Sequence, residues 1–159
     1  MFCYIAFLLF VIPKLTYIYF MFVHETQVRV RYAETDQMGY VYYGNYAMYY
    51  EVARVEAMRN MGLTYKSMEE QGVMMPVLEN RSKYIRPARY DDLLTIRTSI
   101  KKFPTSRIVF DYELFNEEGT LINIGETTLV FVDMKTGRPC GIPDYMAEPM
   151  RPYYEPSHQ

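Results

Sequence analysis

The 159-residue sequence has no tryptophan, two cysteines and two histidines. Cys3 and Cys140 are too few for a disulfide framework or a cysteine metal cluster, and such sparse cysteine fits a reducing compartment. His24 and His158 both lie outside the region that we expect to form the folded core. The shortage of histidine argues against a Ser-His-Asp or Cys-His triad and against a histidine-rich metal site.

A serine nucleophile elbow is also missing, because no serine lies in a Gly-x-Ser-x-Gly motif. The net charge of -2 gives no reason to expect nucleic acid or an acidic surface as a partner. We therefore expect any acid–base chemistry to depend on carboxylates, with no metal and no redox cofactor. Tyrosine is abundant instead, with 17 copies, which suits a sheet-rich fold or an aromatic pocket.

Residues 1–23, MFCYIAFLLFVIPKLTYIYFMFV, are much more apolar than the residues that follow them. The run is long enough to cross a membrane if tilted, but Pro13 and Lys14 interrupt it and no basic residue precedes it. We expect an over-extended reading frame with Met21 as the initiator; a membrane anchor and an extra packed segment are the alternatives. The chain then divides into this extension, a folded domain over residues 24–145 and an irregular tail over residues 146–159.

The sequence is organised around residues 32–61, YAETDQMGYVYYGNYAMYYEVARVEAMRNM, in which a short polar turn leads into a helix. Asn45 is the predicted N-cap and Gly62 the predicted stop, with neither Pro nor Gly between them. Aromatic and small residues recur on one face, and Met48 and Val52 make the opposite face apolar too. A helix that is apolar nearly all round is expected to be enclosed, with its small residues against a sheet.

Alternating apolar and polar residues predict the strands of an antiparallel sheet. The predicted strands cover residues 26–33, 73–85, 94–101, 108–114 and 121–132. Pro76 indicates an edge strand or a bulge, and residues 64–72 are interpreted as a polar connection after the helix. One buried helix followed by hairpin strands predicts an α+β fold, with a curled sheet of about five strands wrapped round one long central helix.

Asp36 lies in the polar turn shortly before the helix, near enough in sequence to fold back against the helix N-terminus. Unpaired backbone N–H groups and partial positive charge collect at that end of a helix, so it is suited to polarise a carbonyl. A carboxylate that faces such an N-terminus would be half of a catalytic site. Alternatively, Asp36 only caps its own turn through a side-chain bond.

Three groups of residues resemble one known family. They are the run Tyr32-x-x-Thr35-Asp36-x-x-Gly39-x-Val41-Tyr42-Tyr43-x-Asn45-Tyr46, the helical Tyr50-Glu51-x-x-Arg54, and the run Tyr84-x-Arg86-Pro87-Ala88-Arg89-x-Asp91-Asp92. Together they are similar to the hotdog-fold acyl-CoA thioesterases, in the 4-hydroxybenzoyl-CoA thioesterase and Tol-Pal-associated thioesterase group. The resemblance spans residues 28–143 and implies a hotdog fold that assembles as a homodimer or homotetramer.

The resemblance also implies residue roles. The aspartate of the Thr-Asp-x-x-Gly turn is the catalytic carboxylate of the family and maps onto Asp36, and the backbone amide near Tyr43 polarises the thioester carbonyl. Tyr43 stands where members of the Tol-Pal type often carry a histidine. A thiolate is a good leaving group, so a site without histidine is chemically sufficient for thioester hydrolysis.

A wider set of residues is expected to bind the substrate: Gly39, Tyr42, Asn45, Tyr46, Glu51, Arg86 and Arg89. Arg86 and Arg89, together with Lys83, are candidates to contact the CoA phosphates. A solvated turn, balanced by the neighbouring Asp91 and Asp92, is the plainer alternative for these cations.

Glu51 is the rival catalytic carboxylate, because some hotdog thioesterases place theirs on the helix. A simple pair with Arg54 one helical turn later is the competing explanation.

The sequence thus predicts a soluble, cytoplasmic hotdog thioesterase that hydrolyses an acyl-CoA to the free acid and CoA. The alternative is a non-catalytic hotdog protein that binds an acyl thioester or a protein partner. A hydratase-dehydratase is disfavoured because the core lacks histidine. A membrane-anchored protein would depend on residues 1–20.

Overall fold

One antiparallel sheet and one long helix make up most of the computed structural model, which describes residues 21–154. The strands are β1 (Phe22–Arg29), β2 (Val73–Met74), β3 (Val77–Tyr84), β4 (Leu93–Ile100), β5 (Arg107–Phe115), β6 (Leu121–Val130), β7 (Val132–Asp133) and β8 (Arg138–Pro139). The helices are α1 (Tyr46–Asn60), α2 (Tyr65–Glu70) and α3 (Asp144–Met150). The prediction for the extension over residues 1–20 lies outside the described residues. Over residues 21–154, every helix is too short or too polar to cross a membrane.

The main sheet has the strand order β1-β4-β5-β6-β3, and each neighbouring pair is antiparallel. A small second sheet joins β2, β7 and β8. Pro76 directly precedes β3, which is an edge strand and carries a bulge between Val77 and Glu79. The prediction of an edge or a bulge at this proline is therefore confirmed, and so is the sheet of five strands.

The core lies between α1 and one face of the main sheet. Alternate residues of β4 and β5 point into it, and Leu94, Ile96, Ile108, Phe110 and Leu114 are fully buried. Because side chains alternate across a strand, the residues between them face away from the helix. This arrangement confirms the predicted α+β architecture with one central helix.

Helix α1 follows the predicted bounds. A 3-10 turn at Tyr43–Asn45 leads into it, and the chain leaves it at Gly62, whose φ of 77° ends the helix as predicted. The prediction of complete enclosure is wrong for the described chain. The sheet covers only one face, so that Met48 is 49% and Val52 43% exposed on the other.

The first strand begins earlier than predicted. Phe22 is the first residue of β1, is paired with Ile100 and is only 1% exposed. Its ring packs edge-on against Tyr153, with centroids 5.0 Å apart. The predicted domain boundary at residue 24 is therefore too late, and His24 is part of the sheet rather than outside the fold.

The C-terminal segment is more ordered than predicted. Residues Asp144–Met150 form α3, and Met146 and Met150 are fully buried in the core. The prediction of an irregular tail from residue 146 is thus wrong as far as Tyr154. The prolines of this segment suggested irregular structure. Pro143, however, lies just before the first turn of α3, where a proline favours the start of a helix.

Tyr50 fixes the position of α1 on the sheet. Its ring stacks on Tyr112 of β5 with centroids 4.5 Å apart, and it lies over Gly125 of β6. Its hydroxyl donates to the Asn123 side chain and lies 2.7 Å from Ser82 Oγ on β3. One helical side chain thereby contacts three neighbouring strands.

Replacement of Gly125 by alanine should destabilise the fold. A Cβ at this position would lie 2.3 Å from Cζ of the Tyr50 ring, so the ring or the strand has to move. We expect a loss of about 2 kcal/mol in the free energy of unfolding, measured by urea denaturation. Gly141→Ala is the matched control, because no atom lies within 4 Å of its added Cβ; equal stability of the two variants would contradict the packing.

The stability of the protein should also fall at alkaline pH. Burial is the main cause that raises the pKa of Tyr50 from 10.0 to about 12. The unfolded chain therefore loses this proton first, and the stabilisation present below pH 10 is lost as the pH rises towards 12. Wild type and Tyr50→Phe should differ less in unfolding free energy at pH 11 than at pH 9, by about 1 kcal/mol. A constant difference would show that Tyr50 titrates normally.

Candidate active site

The polar turn before α1 is a tight hairpin. Thr35 and Val41 form an antiparallel bridge, and the Asp36 N–H donates to the Tyr40 carbonyl at 2.8 Å. Gly39 closes the turn with a φ of 74°, a conformation that suits glycine, and its N–H donates to the Asp36 carbonyl. This backbone holds the Asp36 side chain at the end of the hairpin.

The Asp36 carboxylate is half-buried and uses one oxygen to support its own turn. Its Oδ1 accepts the Met38 N–H at 2.8 Å, so the capping role that the sequence left open is present. Within residues 21–154, no group bonds the other oxygen, Oδ2. The turn therefore orients the carboxylate and leaves one oxygen available for chemistry.

The start of α1 supplies unpaired backbone donors. The Tyr42 N–H donates to the Glu34 carbonyl, and the Asn45 N–H donates to the Tyr42 carbonyl, both at 2.9 Å. The two amides between them, Tyr43 and Gly44, donate to no acceptor in the described part of the chain. Such orphan amides carry the positive end of the helix dipole.

Asp36 and Tyr43 line the same groove, which has a volume of about 320 Å³. The other lining residues are Met38, Tyr40, Val41, Tyr46, Tyr84, Ile85, Arg86 and Pro87. Its walls are therefore mostly apolar and aromatic, with a carboxylate at one side and the helix start at another. Pockets of this kind, apolar with a few convergent polar groups, are typical ligand sites.

The far wall of the groove is fixed to the helix start by the segment that follows β3. The Val41 N–H donates to the Ala88 carbonyl at 2.8 Å, and the Tyr84 hydroxyl donates to the Tyr43 carbonyl at 3.2 Å. The rings of Tyr46 and Tyr84 meet edge-on, with centroids 5.2 Å apart. Burial raises the pKa of Tyr46, which favours the neutral form of this side chain.

The structure gathers four of the predicted site residues at this groove: Asp36, Tyr43, Tyr46 and Arg86. Two others shape the structure around it. Gly39 makes the turn, and the Tyr42 ring packs on the Tyr43 ring with centroids 4.5 Å apart.

Asn45 does not cap α1. Its backbone is already helical, and its side chain makes no capping bond; instead the side-chain amide donates to the Glu34 carbonyl at 2.7 Å. Asn45 therefore occupies the predicted N-cap position, directly before Tyr46, but the side-chain cap expected there is absent. Arg89 does not line the groove, and its guanidinium stacks over the Tyr40 ring at 4.7 Å.

Glu51 lies at a different groove from Asp36. It lines a separate depression of about 320 Å³ beside α2, together with Arg54 and Lys66. Its Oε2 is 3.4 Å from Arg54 Nη2, the pair that the sequence offered as the plainer explanation. Within one chain, Glu51 and the helix start therefore do not share a groove.

Two residues that the sequence reasoning missed hold the hairpin to the helix. Glu34 Oε2 accepts the Tyr49 hydroxyl at 2.7 Å and the Arg31 N–H at 2.8 Å. Burial, followed by this bond to Glu34, raises the pKa of Tyr49 far above its ordinary value. The available signal was that Tyr49 follows Tyr46 by one helical turn, and so faces the chain that precedes the helix.

The comparisons with known proteins agree with this geometry. Residues 30–150 match the family model of the thioesterase-like superfamily. The acyl-CoA thioester hydrolase YbgC of Escherichia coli O6:H1 is 35% identical over 116 residues, which cover 73% of this chain and 87% of that protein.

Solved structures give the same result. The DHNA-CoA thioesterase of Staphylococcus aureus superposes with a TM-score of 0.75 at 35% identity, covering 83% of this chain and 88% of that one. The 4-hydroxybenzoyl-CoA thioesterase, at 24% identity and a TM-score of 0.72, shows the fold alone. This chain therefore belongs to the thioesterase-like superfamily and has its hotdog fold, as the sequence resemblance implied.

Proposed function

We propose that this protein hydrolyses an acyl-CoA thioester to a free carboxylic acid and CoA, with Asp36 as the catalytic carboxylate. The observation that supports the proposal is a groove lined both by Asp36, whose Oδ1 accepts the Met38 N–H, and by Tyr43 at the helix start. The relatives that are named as acyl-CoA thioester hydrolases support the same reaction.

In the proposed mechanism the helix start polarises the substrate. The thioester carbonyl oxygen accepts hydrogen bonds from the Tyr43 and Gly44 amides, and negative charge that develops on this oxygen is stabilised by the helix dipole. Both amides are fixed by the backbone before the substrate arrives, so little reorganisation is needed during the reaction.

Asp36 supplies the nucleophilic half of the reaction. As a general base, its free oxygen takes a proton from a water whose oxygen attacks the carbonyl carbon. As a nucleophile, it attacks the carbon directly to give an anhydride, which water then hydrolyses. In both routes the C–S bond breaks and CoA leaves as a thiolate that later takes up a proton. A thiolate is a good leaving group, so no histidine acid is required.

Arg86 is the proposed contact for a CoA phosphate at the mouth of the groove, because it alone of the predicted cations lines it. Arg89 contributes less directly, through its stacking on Tyr40, whose ring also lines the groove. The apolar walls are left for the acyl group and the pantetheine arm.

Replacement of Asp36 by asparagine should lower turnover strongly, to a residual rate that is still measurable, while leaving the fold intact. The asparagine Oδ1 still accepts the Met38 N–H, but the side chain can neither take a proton nor attack. We expect kcat/KM to fall on the order of a hundredfold or more, measured as CoA thiol released from short, long and aromatic acyl-CoA substrates.

Asp133→Asn is the matched control for this experiment. Asp133 Oδ1 accepts the Thr136 N–H at 2.7 Å in another turn, so the same chemical change occurs away from the groove and should leave turnover unchanged. An active Asp36→Asn together with an inactive Glu51→Gln would transfer the catalytic role to Glu51. Binding of acyl-CoA by the wild type without turnover would instead support a non-catalytic binding protein.

We also propose that two chains pair through the open edge of β3. Among the described residues its outer side has no strand partner in the main sheet, and Val77 and Leu78 are 50% and 54% exposed. Such an edge is usually covered. The groove lies at the end of the same strand, where Tyr84 and Ile85 line it, so a second chain on β3 would wall its open side.

A lysine at Leu78 should separate the two chains. A charge in the proposed contact has to be desolvated on pairing, which opposes association. Sedimentation equilibrium should give at least twice the 18.9 kDa mass of one chain for wild type and one chain mass for Leu78→Lys. Val109→Lys, on the outer face of β5, is the control and should keep the wild-type mass. A wild-type monomer would contradict the pairing.

A further inference from the structure

Glu34 has a largely buried carboxylate that the proposed chemistry does not use. Its side chain is only 12% exposed, although it lies two residues before Asp36 in the hairpin. Its Oε2 accepts the Tyr49 hydroxyl at 2.7 Å and the Arg31 N–H at 2.8 Å, and its Oε1 lies 3.8 Å from Arg31 Nη1. A buried carboxylate is costly to desolvate unless such bonds compensate it.

The backbone of Glu34 is tied to the helix start as well. Its carbonyl oxygen accepts two hydrogen bonds, from the Tyr42 N–H at 2.9 Å and from the Asn45 side-chain amide at 2.7 Å. Together with the bond from Tyr49, three successive points along the start of α1 are joined to this one residue. These three points flank the Tyr43 and Gly44 amides on both sides.

We propose that Glu34 is a positioning residue, which holds the Asp36 carboxylate at its working distance from the Tyr43 and Gly44 amides. The inference rests on the proposed function, because it assigns the separation of those two groups to a third residue. Only Thr35 lies between Glu34 and Asp36, and Thr35 is itself fixed by its bridge to Val41. A shift of Glu34 therefore moves the whole hairpin.

The side chain, and not only the backbone, is required for this role. The two bonds to the Glu34 carbonyl reach only the 3-10 turn that precedes α1, at Tyr42 and Asn45. The bond from Tyr49 reaches the next turn, where the helix is packed against the core and Tyr49 is 2% exposed. Through this bond the hairpin is held by the rigid part of α1.

Three variants test the proposal: Glu34→Ala, Glu34→Gln and Tyr49→Phe. We expect Glu34→Ala to lower kcat about tenfold to a hundredfold with KM changed less than about threefold, since a small misplacement of a reacting group acts on the transition state. Glu34→Gln keeps an oxygen that accepts the Tyr49 hydroxyl and should retain most of kcat. Tyr49→Phe removes the same bond from the other side and should lower kcat as well.

Tyr145→Phe is the matched control, because its hydroxyl is buried without an acceptor among the described residues and lies in α3. Thermal melting and far-UV circular dichroism of each variant report folding. If Glu34→Ala does not fold, Tyr49→Phe alone decides the matter. Unchanged kcat in a folded Tyr49→Phe or Glu34→Ala variant would overturn the proposal, and so would an equal loss in Glu34→Gln and Glu34→Ala.

A double variant separates positioning from a general loss of stability. If Glu34 acts by placing Asp36, then Glu34→Ala should cause no further loss of kcat in an Asp36→Asn background. A further loss of the full single-variant size would overturn the proposal. An Asp36→Asn enzyme as active as the wild type would instead refute the proposed function itself, so the two failures are distinguishable.

Discussion

The contact between Tyr50 and Gly125 decides where the helix lies, and the rest of the site depends on it. Because Gly125 has no side chain, the Tyr50 ring rests directly on β6 and stacks on Tyr112. Its hydroxyl bonds to Asn123 and Ser82 then fix the rotation of α1 about its own axis. With the helix placed in this way, its start lies beside the hairpin that carries Asp36 and beside Tyr84 at the end of β3.

Polar contacts hold the hairpin against that helix start, in addition to the apolar packing of Val41 in the core. Glu34 is its main link to the helix, and Ala88 links it to the segment after β3. Hydrogen bonds are directional and lose most of their strength when misaligned. They therefore suit a place where the proposed mechanism requires a fixed distance between Asp36 and two amides, whereas methionines and aliphatic side chains fill most of the core.

Local patterns were enough to predict the helix, the main strands and the Asp36 turn. Gly62 marks the end of the helix, and strict alternation of apolar and polar residues marks β4 and β5. Both signals depend only on residues that are neighbours in the sequence. The resemblance to thioesterases added the catalytic assignment. The two boundaries that were predicted wrongly, the start of the domain and the start of the C-terminal tail, depend on contacts between residues far apart in the sequence. Phe22 belongs to the fold because Tyr153 packs on it, and no local pattern contains that contact.

The same distinction between local patterns and distant contacts explains which residues of the candidate site could be predicted from the sequence. Asp36 and Tyr43 are close in sequence, so a turn before a helix was sufficient to bring them together. Tyr84 and Arg86 reach the groove only because β3 lies at the far edge of the sheet and the chain then returns beside Tyr40. Glu34 was missed for a different reason. A glutamate in a polar loop is ordinarily solvated, and only the placement of Tyr49 above it shows that this one is buried.

The scarcity of histidine limits which groups can take part in acid–base chemistry at the groove. The described chain has one histidine, His24, and it lies in β1 and does not line the groove. Without an imidazole on its described walls, the proposed chemistry depends on the half-buried Asp36 carboxylate and on backbone amides at the helix start. Backbone amides cannot titrate, so in the proposed mechanism Asp36 is the negative group set against the reacting carbonyl. Arg86 also lines the groove, and it is the proposed contact for a CoA phosphate.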